Sequence, residues 1–104
     1  MAKIKWDEDA IKIIAKINGL YPNPGAWFLF QGERYKILKA TLADFEGQPG
    51  TVLDDNLTVA CGTKSIKIQE IQRQGKSKQK AKEFLLGSKI KKKSSIDLNA
   101  EISN

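Results

Sequence analysis

Turn-forming residues divide most of this chain into short apolar segments, which restricts the secondary structure that it can form. Such residues cluster at five places, residues 20–25, 32–33, 47–50, 54–56 and 62–63. Short strands bounded by clusters of this kind are typical of small sandwiches and barrels. The intervening segments predict five strands, at residues 26–31, 34–42, 51–53, 57–61 and 64–72. The first two, joined by the short turn at 32–33, are predicted to form a hairpin.

The last predicted strand contains an irregularity. Ile66 and Ile68 fall on one face of residues 64–72, and Lys67 falls on the other. Ile71 breaks this alternation, so we expect a β-bulge or a strand end nearby.

An amphipathic helix is predicted before the strands. In residues 8–18, apolar side chains recur at helical spacing on Ala10, Ile14 and Ile17. Asp7 precedes this segment and is a suitable N-cap, because its carboxylate can accept a hydrogen bond from the first turn.

A second helix is predicted after the strands, at residues 78–86. Ser77 is its predicted N-cap, and Ala81, Phe84 and Leu85 form its apolar stripe. Two helices around five short strands predict a mainly β fold with flanking helices, and a small OB-like Greek-key β-barrel fits the length of 104 residues.

The domain is predicted to cover residues 1–90. Beyond it, residues 91–104 are polar and rich in lysine, with sparse apolar positions. This composition leaves two alternatives for the tail, a disordered segment or a poorly ordered strand.

Composition excludes several kinds of site. The chain has no histidine and one cysteine, Cys61, which excludes a histidine-based triad, a zinc site of histidine and cysteine ligands, and an internal disulfide. Composition does not exclude carboxylate catalysis, but the acids at residues 7–9 fit a helix start and those at 54–55 fit a turn. We predict no catalytic residue and no metal in this chain. No apolar stretch reaches the roughly 20 residues of a membrane span, and the first residues lack the apolar run of a signal peptide. We expect a cytoplasmic protein without a membrane partner.

Positive charge is concentrated in one part of the chain. Residues 61–93 carry 11 Lys or Arg against 2 Asp or Glu, a net charge of +9, whereas residues 1–60 carry −1 and residues 94–104 carry −2. An excess of this size attracts polyanions. RNA is the favoured partner, and the alternatives are an anionic membrane surface or a lysine face that only aids solubility.

The candidate nucleic-acid-binding residues are cations within or beside the predicted elements. They are Arg34, Lys36, Lys39, Lys64, Lys67, Arg73, Lys76, Lys78 and Lys80. Lys76 and Lys78 are the strongest candidates, because the N–H groups of a helix start would also favour phosphate there. The sequence alone does not establish that the nine share a face.

Aromatic residues and the cysteine are assigned to the core. Trp27, Phe28 and Phe30 lie in a continuous apolar run without interleaved cations, which favours packing over base stacking. Cys61 is predicted to be a small core residue. The positions of Trp6 and Tyr35 remain open between core and surface.

Three peptides in a fixed order carry a family resemblance. They are Asn-Pro-Gly-Ala-Trp at 23–27, Thr-Val-Ala-Cys-Gly at 58–62 and Gly-Lys-Ser at 75–77, the last leading to Glu-Phe-Leu at 83–85. The set resembles the C-terminal domain of methionyl-tRNA formyltransferases, from about residue 4 to residue 87.

The resemblance implies an OB barrel that is tethered to a separate catalytic domain. In that family the catalytic domain binds 10-formyltetrahydrofolate and carries an Asn-His-Asp set, which this chain lacks. The implied partners are therefore initiator Met-tRNA and the catalytic formyltransferase domain, and no cofactor is implied in this chain. Its lysines and arginines would contact tRNA phosphates.

Two other functions remain open from the sequence. A related domain occurs in formyltransferases that act on amino sugars, so the chain could instead be a non-catalytic docking domain of a sugar-nucleotide formyltransferase. A stand-alone OB-type binder of single-stranded nucleic acid is the other alternative, although the basic and aromatic residues are largely segregated.

Overall fold

The structure, a computed structural model, describes residues 2–19 and 25–96. Within these ranges it contains eight elements in the order β1 (Ala2–Lys3), α1 (Ala10–Gly19), β2 (Ala26–Phe30), β3 (Glu33–Ala43), β4 (Thr58–Ala60), β5 (Ser65–Arg73), β6 (Lys78–Lys80) and α2 (Ala81–Gly87). Neither of these two helices is long and apolar enough to cross a membrane.

All six strands belong to one curled sheet. The strand order is β1-β2-β3-β5-β4, and β6 pairs with β5 on the same edge as β4. The pairing of β1 with β2 is parallel, and the other pairings are antiparallel. The sheet curls into a half-barrel, so the predicted small OB-like β fold with flanking helices is confirmed.

The β2–β3 hairpin is formed as predicted, one residue earlier. Its two turn residues are Gln31 and Gly32, with φ angles of 51° and 80°. Two positive φ values in a two-residue loop match the right-handed twist of the flanking strands. Phe30 and Glu33 therefore face each other directly across the hairpin.

The irregularity predicted near Ile71 is a pair of β-bulges. The register between β3 and β5 shifts around Leu38 on one strand and around Gln69 on the other. Each extra residue resets the alternation. As a result Ile68 and Ile71 are both fully buried although they are three residues apart.

Helix α1 covers the core side of the sheet, with a stripe that differs from the prediction. Ala10, Ile13 and Ile17 are buried, whereas Ile14 is only partly buried. Both stripes follow one helix face, with spacing i, i+3, i+7 in the structure and i, i+4, i+7 in the prediction. Packing against the sheet selects the first spacing. The cap also differs, because the N–H of Ile11 donates to Asp9 rather than to Asp7, at 2.9 Å.

The predicted helix at residues 78–86 is wrong at its beginning. Residues 78–80 form β6, and the helix begins at Ala81, so Ser77 is not its N-cap. Strand β4 pairs only with residues 65–67 of β5, which leaves residues 70–72 open to a second neighbour. Because β6 supplies that neighbour through a tight turn at Gly75, backbone pairing overrides the helical pattern.

The chain after α2 returns to the barrel. Residues 51 and 52 form isolated bridges to Ser95 and Val59, in place of the strand predicted at 51–53. Ile90 and Ile96, two of the few apolar residues after α2, are buried. The division at residue 90 stays a prediction, and residues 97–104 of the predicted tail lie outside the described residues.

Candidate nucleic-acid interface

The sheet carries cations on the side that points away from the core, which we call the outer face. Residues directly opposite each other on paired strands hold their side chains on the same side of the sheet. One cross-strand row passes over five strands, in the order Lys3, Trp27, Lys36, Gln72 and Lys78. Three lysines from distant parts of the sequence therefore line up on one row.

The neighbouring rows extend the same surface. Lys39 lies opposite Glu70, and Glu70 lies opposite Lys80. Lys67 lies opposite Thr41 in a further row. The cations of the outer face are Lys3, Arg34, Lys36, Lys39, Lys67, Lys78 and Lys80. Against these seven, Glu70 is the one carboxylate in the rows described, so the surface is strongly positive.

Six of the nine sequence-predicted residues are brought together on the outer face. They are Arg34, Lys36, Lys39, Lys67, Lys78 and Lys80. Lys3 was missed, because it owes its place to the parallel pairing of β1 with β2. The alternation of Lys3 and Lys5 with the apolar residues Ile4 and Trp6 was a local signal for an extended segment, but it does not indicate the strand with which that segment pairs.

Arg73 and Lys64 are engaged in ion pairs. Arg73 contacts Glu33 through two nitrogens, Nε to Oε2 and a terminal nitrogen to Oε1, the latter at 2.6 Å. This hydrogen bonding lowers the pKa of Glu33 and raises that of Arg73. Lys64 Nζ lies 3.5 Å from Asp44, and the Lys64 N–H donates to Glu46. Both cations are partly neutralised within the fold.

Lys76 lies in the turn between β5 and β6. Its N–H donates to the carbonyl of Arg73, and its own carbonyl accepts from the Gln72 side chain, both at 2.9 Å. Neither Lys76 nor Lys78 begins a helix, so the predicted contribution of helix N–H groups to phosphate binding is wrong. Lys78 remains a candidate nucleic-acid-binding residue for a different reason, because it lies in the outer-face row.

A cleft of about 510 Å³ lies beside the same turn. Its lining includes Tyr35 and Phe84, whose rings meet edge to face at 5.8 Å, and the Arg73–Glu33 ion pair. The Tyr35 hydroxyl donates to Glu33 at 3.5 Å, and burial raises the pKa of this tyrosine. Because the Glu33 carboxylate already pairs with Arg73, this arginine is less available to an external anion than the cations of the outer face are.

Trp27 differs from its two aromatic neighbours on β2. Phe28 and Phe30 are buried, as predicted. Trp27 is only half-buried and lies on the outer face, so its assignment to the core is wrong. Its ring is approached by the Arg34 guanidinium carbon at 3.8 Å from the centroid and by Lys3 Nζ at 5.6 Å. Period-two alternation with Phe28 was the sequence signal that could have placed it there.

The two aromatic residues that the sequence left open both belong to the core. Tyr35 stacks on Phe28 with 5.3 Å between ring centroids, and Trp6 meets Phe28 edge to face at 6.0 Å. Trp6 and Tyr35 are each 6% exposed. Trp27 is therefore the tryptophan that a ligand of the outer face can reach.

Cys61 is expected to resist thiol reagents in the folded protein. It is buried, as predicted, and burial raises the pKa of its thiol to about 12. Because the thiolate is the reactive form, iodoacetamide should label it about 1,000-fold more slowly in native protein than in guanidinium chloride at about pH 8. Equal labelling rates before and after unfolding would contradict the buried position.

Ammonium and guanidinium groups are the chemistry that the outer face offers. Within residues 2–19 and 25–96, no three His, Cys, Asp or Glu side chains gather closely enough to hold a metal ion. Spaced cations on a sheet can accept phosphate oxygens along a backbone without reading its bases. The arrangement is suited to binding a polyanion.

Comparison with known proteins connects this surface to one family. The family model described as formyl transferase, C-terminal domain, matches residues 1–89, a range that includes every cation of the outer face. The methionyl-tRNA formyltransferase of Pelagibacter ubique is 58% identical over 95 residues, which cover 90% of this chain and 31% of the relative.

Two further relatives carry the same name. The methionyl-tRNA formyltransferase of a Bradyrhizobium species is 47% identical over 93 residues, covering 86% of this chain and 30% of its own length. The methionyl-tRNA formyltransferase of Ruegeria pomeroyi is 46% identical over 91 residues, which cover 88% of this chain and 30% of that relative. The chain therefore spans less than a third of the length of these curated relatives.

Proposed function

Because this chain belongs to the formyl transferase C-terminal domain family, we propose that it is the tRNA-binding part of a methionyl-tRNA formyltransferase. The complete enzyme would formylate initiator Met-tRNA from 10-formyltetrahydrofolate, with chemistry supplied by a separate catalytic domain. This chain would contribute binding, and a cytoplasmic location fits that role.

The outer face is the observation that supports tRNA binding. In the described strand rows, seven cations lie on one side of a single sheet with one carboxylate, Glu70, and Asp54 lies near Lys67 outside these rows. Paired strands are about 4.8 Å apart, so the row from Lys3 to Lys78 extends over about 19 Å across the sheet. Successive phosphates of a folded RNA can be contacted over such a distance.

Lysine ammonium groups are suited to position an RNA rather than to read it. They act as point charges on flexible stems, so each can follow a phosphate without fixing the base beside it. Binding by this chain alone should therefore be weak, in the range of about 10⁻⁴ to 10⁻⁶ M, and should fall steeply with salt. Selection of the initiator tRNA would come mainly from the catalytic domain.

Removing two charges from the long row tests the proposal. We expect the Lys36→Gln, Lys78→Gln variant of the 104-residue chain to bind initiator tRNA about tenfold more weakly at about 50 mM salt. The slope of log affinity against log salt between about 50 and 200 mM should become shallower by about 2, because binding with two fewer phosphate contacts releases fewer counterions. Fluorescence titration measures both quantities.

A matched control removes the same charge elsewhere. Lys12 and Lys16 lie on α1, the helix on the core side of the sheet. The Lys12→Gln, Lys16→Gln variant should retain the affinity and the salt slope of the wild type. Equal losses in both double variants would mean that net charge, rather than the outer face, controls binding.

Competitors separate the remaining functions. Folded tRNA should compete better than oligo-dT. Equal competition by oligo-dT would favour a binder of single strands. Absence of binding at about 50 mM salt would contradict the proposal and favour a docking domain.

A further inference from the structure

The two arginines of the chain have opposite environments. Arg73 is held by the Glu33 carboxylate through two nitrogens. The Arg34 side chain has no ion pair or hydrogen bond to a carboxylate among the described residues, and its guanidinium lies on Trp27 instead. Arg34 is exposed on the outer face, and its N–H groups are available to an external acceptor.

The register explains why this contact forms. Trp27 lies opposite Lys36, which makes Arg34 its diagonal neighbour across the hairpin. Diagonal positions lie about 7–8 Å apart, within reach of long side chains. The guanidinium carbon reaches 3.8 Å from the ring centroid, which is van der Waals contact. The indole therefore covers one face of the guanidinium.

A covered guanidinium face leaves the in-plane donors free. Arginine presents five N–H donors in a planar fork that matches two phosphate oxygens, and stacking on an aromatic ring restricts its orientation without using any of those donors. An ammonium group at the same position would supply charge without the fork. The contact thus prepares Arg34 for bidentate binding.

We propose that Trp27 is a positioning residue that holds Arg34 as a phosphate-binding fork on the outer face. The inference rests on the proposed tRNA binding and deepens it. Lys3, 5.6 Å from the same ring and opposite it on β1, adds a second cation beside the fork. One indole thereby gathers positive charge from both neighbouring strands.

A double-mutant cycle on tRNA affinity tests the coupling. Trp27→Leu, which removes the ring but no charge, should weaken binding about threefold, and Trp27→Phe should weaken it less than twofold. Arg34→Gln should weaken binding about tenfold and make the salt slope shallower by about 1. In the Arg34→Gln background, Trp27→Leu should cause no further loss.

Arg34→Lys supplies an independent measurement in a variant with the full charge. It should weaken binding about threefold while leaving the salt slope unchanged, because the ammonium keeps the charge and loses the bidentate geometry. Thermal unfolding should be near that of the wild type for all variants, since both side chains lie on the outer face.

The outcomes separate this inference from the proposed function. Suppose that the wild type binds tRNA and that Trp27→Leu lowers the affinity equally in the wild type and in Arg34→Gln. This result would overturn the positioning role, because the ring would then contact the RNA independently of Arg34. Full affinity in Arg34→Lys would overturn the fork while leaving tRNA binding intact. Absence of wild-type binding at about 50 mM salt would remove both proposals.

Discussion

Replacing Gly62 with alanine is expected to destabilise the domain by about 3 kcal/mol. A Cβ at this position would lie 1.9 Å from the carbonyl oxygen of Asp7 and 2.6 Å from its carbonyl carbon. Both are backbone atoms, so no side-chain rotation can relieve the overlap. Two hydrogen bonds fix the approach, from the Gly62 N–H to the Glu8 carbonyl at 2.8 Å and from the Ala10 N–H to the Thr63 carbonyl at 3.0 Å. The methyl group must displace one of these segments.

Two other glycines provide matched controls for this prediction. Gly19 and Gly87 are the last residues of α1 and α2, and no atom of the described residues lies within 4 Å of a Cβ built on either. Alanine at those positions should be neutral or stabilising by up to about 1 kcal/mol. Urea unfolding followed by circular dichroism compares the three variants. A midpoint for Gly62→Ala that matches the controls would show that the two segments separate without cost.

The sheet could be predicted from the sequence where its pattern is local. Residues 26–30 and 65–73 read as strands because apolar side chains and turn residues mark them without reference to the rest of the fold. The bulge near Ile71 followed from one misplaced apolar residue. These features depend on neighbours in the sequence, and the structure confirms them.

The elements that were missed depend on pairing with distant strands. Strand β6 consists of Lys78, Gln79 and Lys80, all exposed, and it exists because β5 leaves backbone groups unpaired beyond β4. Strand β1 likewise depends on β2. The β6 segment has no apolar alternation that would distinguish it from a helix or a loop. The β1 segment does alternate, with Ile4 and Trp6 apolar and Lys3 and Lys5 charged, but this pattern does not indicate the strand with which it pairs.

The candidate site shows the same division. Cationic residues could be selected from the sequence because composition alone reveals the excess of charge. Their shared face could not, because two bulges reset the alternation in β3 and β5, and a shift of one residue moves a side chain to the opposite face. The ion pair between Arg73 and Glu33, which are 40 residues apart, could not be predicted either, because it depends on the register between distant strands.

Removal of two isoleucine side chains after α2 should be at least as damaging as the change at Gly62. Ile90 is fully buried and Ile96 is 5% exposed, although the family match ends at residue 89. Truncating a buried isoleucine to alanine costs about 2–5 kcal/mol, so we expect the Ile90→Ala, Ile96→Ala variant to lose about 4 kcal/mol or more.

Backbone hydrogen bonds explain why this segment should matter to the whole barrel. The Val52 N–H donates to the Ser94 carbonyl at 2.9 Å, and the Lys93 N–H donates to the Val52 carbonyl at 2.8 Å. The Ile96 N–H donates to the Gly50 carbonyl at 2.8 Å. Because Val52 also bridges to Val59 in β4, the segment continues the sheet beyond its last full strand.

Leu86→Ala is the matched control, because it removes an aliphatic side chain that is 89% exposed. It should change the free energy of unfolding by less than about 0.5 kcal/mol. Both variants are compared with the wild type by urea unfolding. If the isoleucine double variant were as stable as Leu86→Ala, the segment would rest on the barrel without supporting it. A large loss would instead place the stabilising boundary of this domain beyond the region that its family match covers.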